Sequence, residues 1–172
     1  MKKVWLMILS VFCLFAVAEA QGSSKKDIIK EKKREERKAQ KQVKWHTNLA
    51  SALAEAQKNK SQILLLATGS DWCPPCMNLE KKIISHKDFA KVVKANNLVL
   101  LKADFPRRRE QSAQEKADAQ AIVKVYPANG VPSVYLLDSQ GKVLDKKTGF
   151  SGKSDSPESY LKSFKGFEKK SK

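Results

Sequence analysis

Cysteine is scarce, with three in 172 residues, too few for a disulfide-scaffolded mini-protein, so any folded domain must rest mainly on hydrophobic burial. Glycine (7) and proline (6) are also few, which excludes a collagen-like chain, and apolar segments such as 62–67 and 131–137 exclude a wholly disordered one. No internal repeat is visible. Acidic residues are outnumbered, 18 against 34 Lys and Arg, for a net charge of +16. The apolar run from Val4 to Ala18 has 15 residues, short of the roughly 20 that span a bilayer core. The length suits one ordinary domain with appendages.

What is there begins with a compartment signal. Lys2 and Lys3 precede the apolar run, and Ala18-Glu19-Ala20 places small residues where a signal peptidase reads. Residues 1–20 are therefore expected to be a signal peptide cleaved near Ala20, giving a periplasmic or secreted protein. A membrane anchor is the competing reading. A lipoprotein fits poorly, because Cys13 lies inside the run behind bulky Phe12. Cleavage leaves Cys73 and Cys76 as the remaining thiols.

Residues 21–44 read as a basic arm. Ten basic and four acidic residues fall between Lys25 and Lys44, with apolar side chains only at Ile28, Ile29, Ala39 and Val43, so no continuous face can be buried and any helix is exposed or frayed. A solvated arm is the plainer reading; weak contact with an anionic surface is the functional one. Nucleic acid is not expected as a partner, since no aromatic residues interleave the charges to stack on bases.

Residues 45–168 have the pattern of a globular domain, followed by a basic tail at 169–172. Leu49 and Leu53 sit at helical spacing behind Thr47 or Asn48 as N-cap, with the helix ending near Asn59. The continuous run Ile63–Ala67 predicts a central strand covered on both faces. A helix is predicted from Cys73 to about Ile84, with proline tolerated in its first turn, then one around Phe89, Val92 and Val93. A strand over Leu98–Ala103 and a helix through Ala117, Ala121, Ile122 and Val125 follow. Ser133–Leu137 and Lys142–Lys146 predict a hairpin across Asp138-Ser139-Gln140-Gly141. Tyr160, Phe164 and Phe167 at i, i+4, i+7 predict a closing amphipathic helix. The class is α/β.

The chemistry lies in Trp72-Cys73-Pro74-Pro75-Cys76. A cysteine at a helix start meets unpaired N–H groups and the positive end of the helix dipole, which favours thiolate over thiol. Cys73 is thus the expected nucleophile. Cys76, three residues on, can attack a mixed disulfide at Cys73 and release the substrate with no metal or organic cofactor; the working group is the redox-active Cys73–Cys76 pair. Zinc is a weaker reading, because only His46 and His86 are available as further ligands and their spacing matches no common finger. An inert structural disulfide over so short a loop would stabilise little.

Gly69-Ser70-Asp71-Trp72-Cys73-Pro74-Pro75-Cys76, followed far downstream by Gly130-Val131-Pro132-Ser133, resembles the thioredoxin superfamily. Within it the chain is similar to secreted thioredoxin-like proteins and to the periplasmic C-terminal domain of DsbD-type thiol reductases, a likeness that Leu100-Leu101-Lys102-Ala103-Asp104 and Glu80 also fit. The resemblance covers about residues 45–168. It implies a thioredoxin-like fold, a central mixed sheet flanked by helices, with Pro132 cis and facing the cysteines and the Val131 backbone free to pair with an extended substrate. It implies a thiol-disulfide oxidoreductase acting on protein thiols and disulfides, reductase rather than oxidase, with a membrane thiol reductase as candidate electron donor. The alternative is a redox-silent adaptor of the same fold.

One departure matters: many thioredoxins carry a buried Asp six residues before the first cysteine, where this chain has Ala67. Glu80, at i+4 from Cys76, is the candidate proton relay, or else an ordinary surface glutamate. Lys102 either sits beneath the active site or reaches solvent. Trp72 either shapes a substrate surface or packs in the core. His86 reads as part of a helix cap. Arg107-Arg108-Arg109 reads as a solvated loop, with recognition of acidic partners as the sharper alternative.

Overall fold

The computed structural model describes residues 27–31, 34 and 43–168. The expected signal peptide and the basic tail lie outside them. The chain divides into two units, Met1–Glu36 and Arg37–Lys172. In the first, residues 27–31 and 34 are helical and exposed, as a stretch with too few apolar positions for a buried face requires.

The second unit runs β1 (Trp45–His46), α1 (Leu49–Asn59), β2 (Ile63–Thr68), α2 (Pro74–Leu79) passing directly into a π-helical turn (Glu80–Ile84), α3 (Phe89–Ala95), β3 (Val99–Asp104), α4 (Ala113–Val125), β4 (Ser133–Leu137), β5 (Val143–Thr148) and α5 (Pro157–Lys162). The strands form one mixed sheet in the order β1-β3-β2-β4-β5. β2 lies at its centre, parallel to β3 and antiparallel to β4.

All six residues of β2 are buried, which is why its run is continuous rather than alternating. Its side chains divide between two cores because successive residues point to opposite faces. Leu64 and Leu66 pack with Leu79 and Ile83 of the α2 segment, Phe89 and Val93 of α3, and Tyr160 and Leu161 of α5. Ile63, Leu65 and Ala67 pack on the other face with Ala52 and Ala56 of α1 and Ala119 and Ile122 of α4. Truncating a fully buried leucine such as Leu101 or Leu136 to alanine costs about 2–5 kcal/mol.

Local signals fix the element ends. Asn48 caps α1 by accepting from the Ser51 N–H at 3.1 Å, and Ser112 with Glu115 forms a capping box on α4. The β4–β5 turn closes on Asp138, which accepts from Gln140 and Lys142 N–H groups, with Gly141 at φ +85°, a conformation glycine adopts without penalty.

Three elements differ from the sequence-based expectation. β1 is only two residues long, recruited by parallel pairing with Leu100 and Leu101, and two residues carry no periodicity. The helix after Cys73 changes hand-off at Glu80, where an i→i+5 bond from the Ser85 N–H to the Glu80 carbonyl sets a π turn. The closing helix stops at Lys162, so Phe164 and Phe167 lie beyond it. There Gln62 donates to the Gly166 carbonyl and accepts from the Glu168 N–H, and Gly166 takes φ +74°; a continuing helix could supply neither.

This topology gathers three loops. β2 and β3 run parallel, so the segments after Thr68 and Asp104 leave the same edge of the sheet, and the segment before Ser133 arrives there because β4 runs the other way.

Candidate active site

Cys73 is the N-cap of α2. Its Sγ accepts from the Cys76 N–H at 3.3 Å, and Pro74 and Pro75 occupy the first helical turn, where a missing N–H costs nothing. The sulfur of Cys73 therefore meets an inward-pointing backbone donor at the positive end of a helix, an arrangement that stabilises a thiolate. Cys73 and Cys76 are joined by a disulfide, with Cα atoms 5.2 Å apart, and each residue is only 3% exposed.

Across from them, the Val131–Pro132 bond is cis, and the Val131 carbonyl oxygen lies 3.4 Å from Cys73 Sγ. Pro132 is buried and Val131 half-buried. The Pro132 carbonyl accepts from the Gly149 N–H at 2.8 Å, and Ser133 Oγ donates to the Gly130 carbonyl at 2.7 Å. Both bonds fasten this loop to the sheet while the Val131 backbone faces the sulfurs.

Trp72 is half-buried. Its indole N–H donates to the Phe105 carbonyl at 2.7 Å, and the Arg107 guanidinium lies 3.8 Å over its ring, a cation–π contact. The ring leaves room behind it only because residue 69 is glycine: a Cβ there would stand 2.5 Å from the indole.

The loops after β2 and β3 grip each other. The Asp71 carboxylate accepts from the backbone N–H groups of Arg107, Arg108 and Arg109 at 2.7–2.9 Å. In the other direction, Asp104 accepts from the Ser70 N–H at 3.1 Å and from Ser70 Oγ at 2.7 Å. The N–H of Arg107 foremost, with those of Arg108 and Arg109, holds the Asp71 carboxyl below the usual aspartate range. The sequence reading named Asp71 and Asp104 only as members of motifs and gave neither a role; the available signal was an aspartate two residues before Cys73 and another closing a strand.

The remaining sequence candidates fall as follows. Glu80 follows Cys76 by one turn and its N–H donates to the Cys76 carbonyl, while its carboxylate accepts from Ser85 Oγ at 3.0 Å. The Lys102 ammonium stands 4.7 Å over the Trp45 ring. Ala67 is 1% exposed within the α1–α4 core, so no carboxylate occupies that position. His86 Nδ1 accepts from the Asp88 N–H just ahead of α3. Among the described residues, no group of three or more His, Cys, Asp or Glu side chains is placed to hold a metal ion, and no helix is long and apolar enough to cross a membrane.

The chain is similar to known proteins. A family model described as thioredoxin-like matches residues 44–139. The chain is 28% identical over 102 residues to the disulfide bond reductase DsbH of Chlamydia pneumoniae, covering 59% of this chain and 60% of that one. It is 31% identical over 105 residues to the thiol:disulfide interchange protein DsbD of Pectobacterium atrosepticum, covering 60% of this chain and 16% of that one. A solved structure of a DsbH oxidoreductase superposes with a TM-score of 0.56 at 26% identity, over 63% of this chain and 77% of the other.

Proposed function

This chain belongs to the thioredoxin-like family, and on that premise we propose that it is a thiol-disulfide oxidoreductase acting on protein disulfides through Cys73 and Cys76. The observation that carries the reading is the Cys73 sulfur at the N-cap of α2, accepting the Cys76 N–H and facing the Val131 carbonyl.

In the reduced protein, the Cys73 thiolate attacks one sulfur of a substrate disulfide. The substrate S–S bond breaks, a Cys73–substrate bond forms, and the departing thiolate takes a proton. The Cys76 thiolate then attacks Cys73 Sγ and expels the second substrate thiolate. Two electrons have passed to the substrate, and the protein holds the Cys73–Cys76 disulfide. Another dithiol must reduce it; a membrane thiol reductase is the donor class that the likeness to DsbD suggests. The likeness to a disulfide bond reductase favours reduction over oxidation.

Trp72, Val131 and Pro132 form the substrate-facing surface in this reading. Val131 offers its backbone to an extended segment beside the sulfurs, and Pro132 presents no N–H of its own. Glu80 is the candidate for exchanging the Cys76 proton, one turn along the helix. Residues 1–20 direct export to the periplasm or beyond, and the basic arm makes at most a weak, salt-sensitive contact with anionic surfaces.

The test is redox cycling. After treatment with dithiothreitol the protein should present two alkylatable thiols in residues 21–172, after oxidised glutathione none, and the reduced form should cleave disulfides in a scrambled protein. A chain whose disulfide resists dithiothreitol, or whose dithiol reduces no protein disulfide, is an adaptor of this fold instead.

A further inference from the structure

The three consecutive arginines are exposed, and their backbone is fastened to the loop that precedes Cys73. β2 and β3 are parallel neighbours, so the segment carrying Arg107–Arg109 leaves the same end of the sheet as the segment carrying Asp71 and Trp72, and Arg107 reaches the Trp72 ring. Asp71 holds all three backbone N–H groups, a pinned geometry that a merely solvated loop has no need of.

Three of the four carboxylates around the loop are already engaged. Asp71 is turned to the backbone donors, Asp104 to Ser70, and Glu115 to the Ser112 N–H at 2.9 Å. The Arg109 guanidinium stands 3.6 Å from both Asp104 and Glu115. Glu110 follows the three pinned amides, outside their grip. Arg107 and Arg108 are exposed, and neither guanidinium has a carboxylate within ion-pair distance among the described residues. The Arg107 guanidinium stands 3.8 Å over the Trp72 ring, the residue that adjoins Cys73.

We propose that Arg107 and Arg108 form a cationic rim that selects disulfides flanked by acidic side chains for the exchange at Cys73. This rests on the oxidoreductase reading above. A planar guanidinium held against an aromatic face loses little freedom on pairing with a carboxylate and can do so through two parallel N–H donors. Each such contact at an exposed rim is weak. Two together, with the field of a strongly basic protein behind them, raise the capture of acidic segments over basic ones, and salt erodes the advantage.

The experiment compares three short peptides, each closed by the same disulfide, with two glutamates, two serines or two lysines beside one cysteine. Reduction by the dithiol form is read as kcat/KM at low and at 0.5 M salt. Binding of the same peptides with serine in place of cysteine is followed separately, by NMR at the Trp72 indole N–H and the Arg107–Arg109 amides. Acidic over basic preference of about fivefold at low salt, shrinking at high salt, is expected for two exposed charge contacts. Arg107→Ala/Arg108→Ala should collapse that ratio, and Arg108→Glu should lower it further. Equal reduction and equal binding of the three peptides, or an acidic preference that survives in the double variant, overturns the rim. Acid-selective binding without reduction of any peptide leaves the rim standing and overturns the oxidoreductase reading.

Discussion

The loop after β2 and the loop after β3 leave neighbouring parallel strands at the same edge of the sheet, yet they differ in every respect that matters for function. The first leads into the Cys73–Cys76 disulfide, whose residues are each 3% exposed and fixed by a helix start. The second carries no reacting group, is exposed through Arg107, Arg108 and Arg109, and is fixed by a carboxylate that belongs to the first. Reactivity here is created by local covalent spacing. The surroundings of the reactive group are created by contacts 33 to 58 residues apart in sequence.

That difference can be broken from the side of the first loop most severely at Gly69. A Cβ 2.5 Å from the indole of Trp72 cannot be absorbed easily, because the ring is already held by its hydrogen bond to the Phe105 carbonyl and its contact with Arg107. Gly69→Ala should destabilise the domain by about 1–3 kcal/mol, as overpacking does, and detach the indole from Phe105. Urea unfolding and the Trp72 indole N–H resonance measure the two effects.

Asp71→Asn sharpens the comparison by loosening only the second loop. It removes the charge that three N–H donors converge on, so the amides of Arg107–Arg109 should exchange with solvent faster while the core strands are unchanged. The pH dependence has a definite sign. A carboxyl whose folded pKa is depressed stabilises fully above the ordinary aspartate value of about 3.9, and the contribution is lost as pH falls through the lower folded value. The loop should therefore stay pinned at neutral and mildly acidic pH and open only in stronger acid, a transition absent from the asparagine variant. Hydrogen exchange and NMR titration report both.

The smallest effect is predicted at Arg109. Its side chain is 52% exposed and its guanidinium 3.6 Å from each carboxylate, so Arg109→Ala should change stability by no more than about 0.5 kcal/mol, with the difference fading as salt rises. A larger loss in thermal denaturation would mean that the second loop is held by its side chains rather than by its backbone.

The same contrast separates what the sequence revealed from what it hid. β2, β3 and β4 were legible because strands buried on both faces must be continuously apolar, as Ile63–Ala67 is. The Cys73–Cys76 disulfide was legible because a spacing of three at a helix start brings two cysteines together. The two-residue β1 was hidden because only its partner strand defines it, and the π turn at Glu80–Ile84 because no residue type signals it. The end of the closing helix at Lys162 depends on Gln62, a hundred residues away. The pinning of the Arg107–Arg109 backbone was hidden for the same reason: its anchor, Asp71, stands two helices and a strand earlier in the chain, and a run of charge does not name its partner.

The central claim is that Cys73 attacks and Cys76 resolves. Mixing reduced Cys76→Ser or Cys73→Ser protein with a scrambled disulfide protein, quenching with acid and mapping the linked peptides by mass spectrometry tests it most directly. Cys76→Ser should accumulate mixed disulfides through Cys73, and Cys73→Ser should accumulate few or none. Complexes linked mainly through Cys76, or none from either variant, would contradict the assignment.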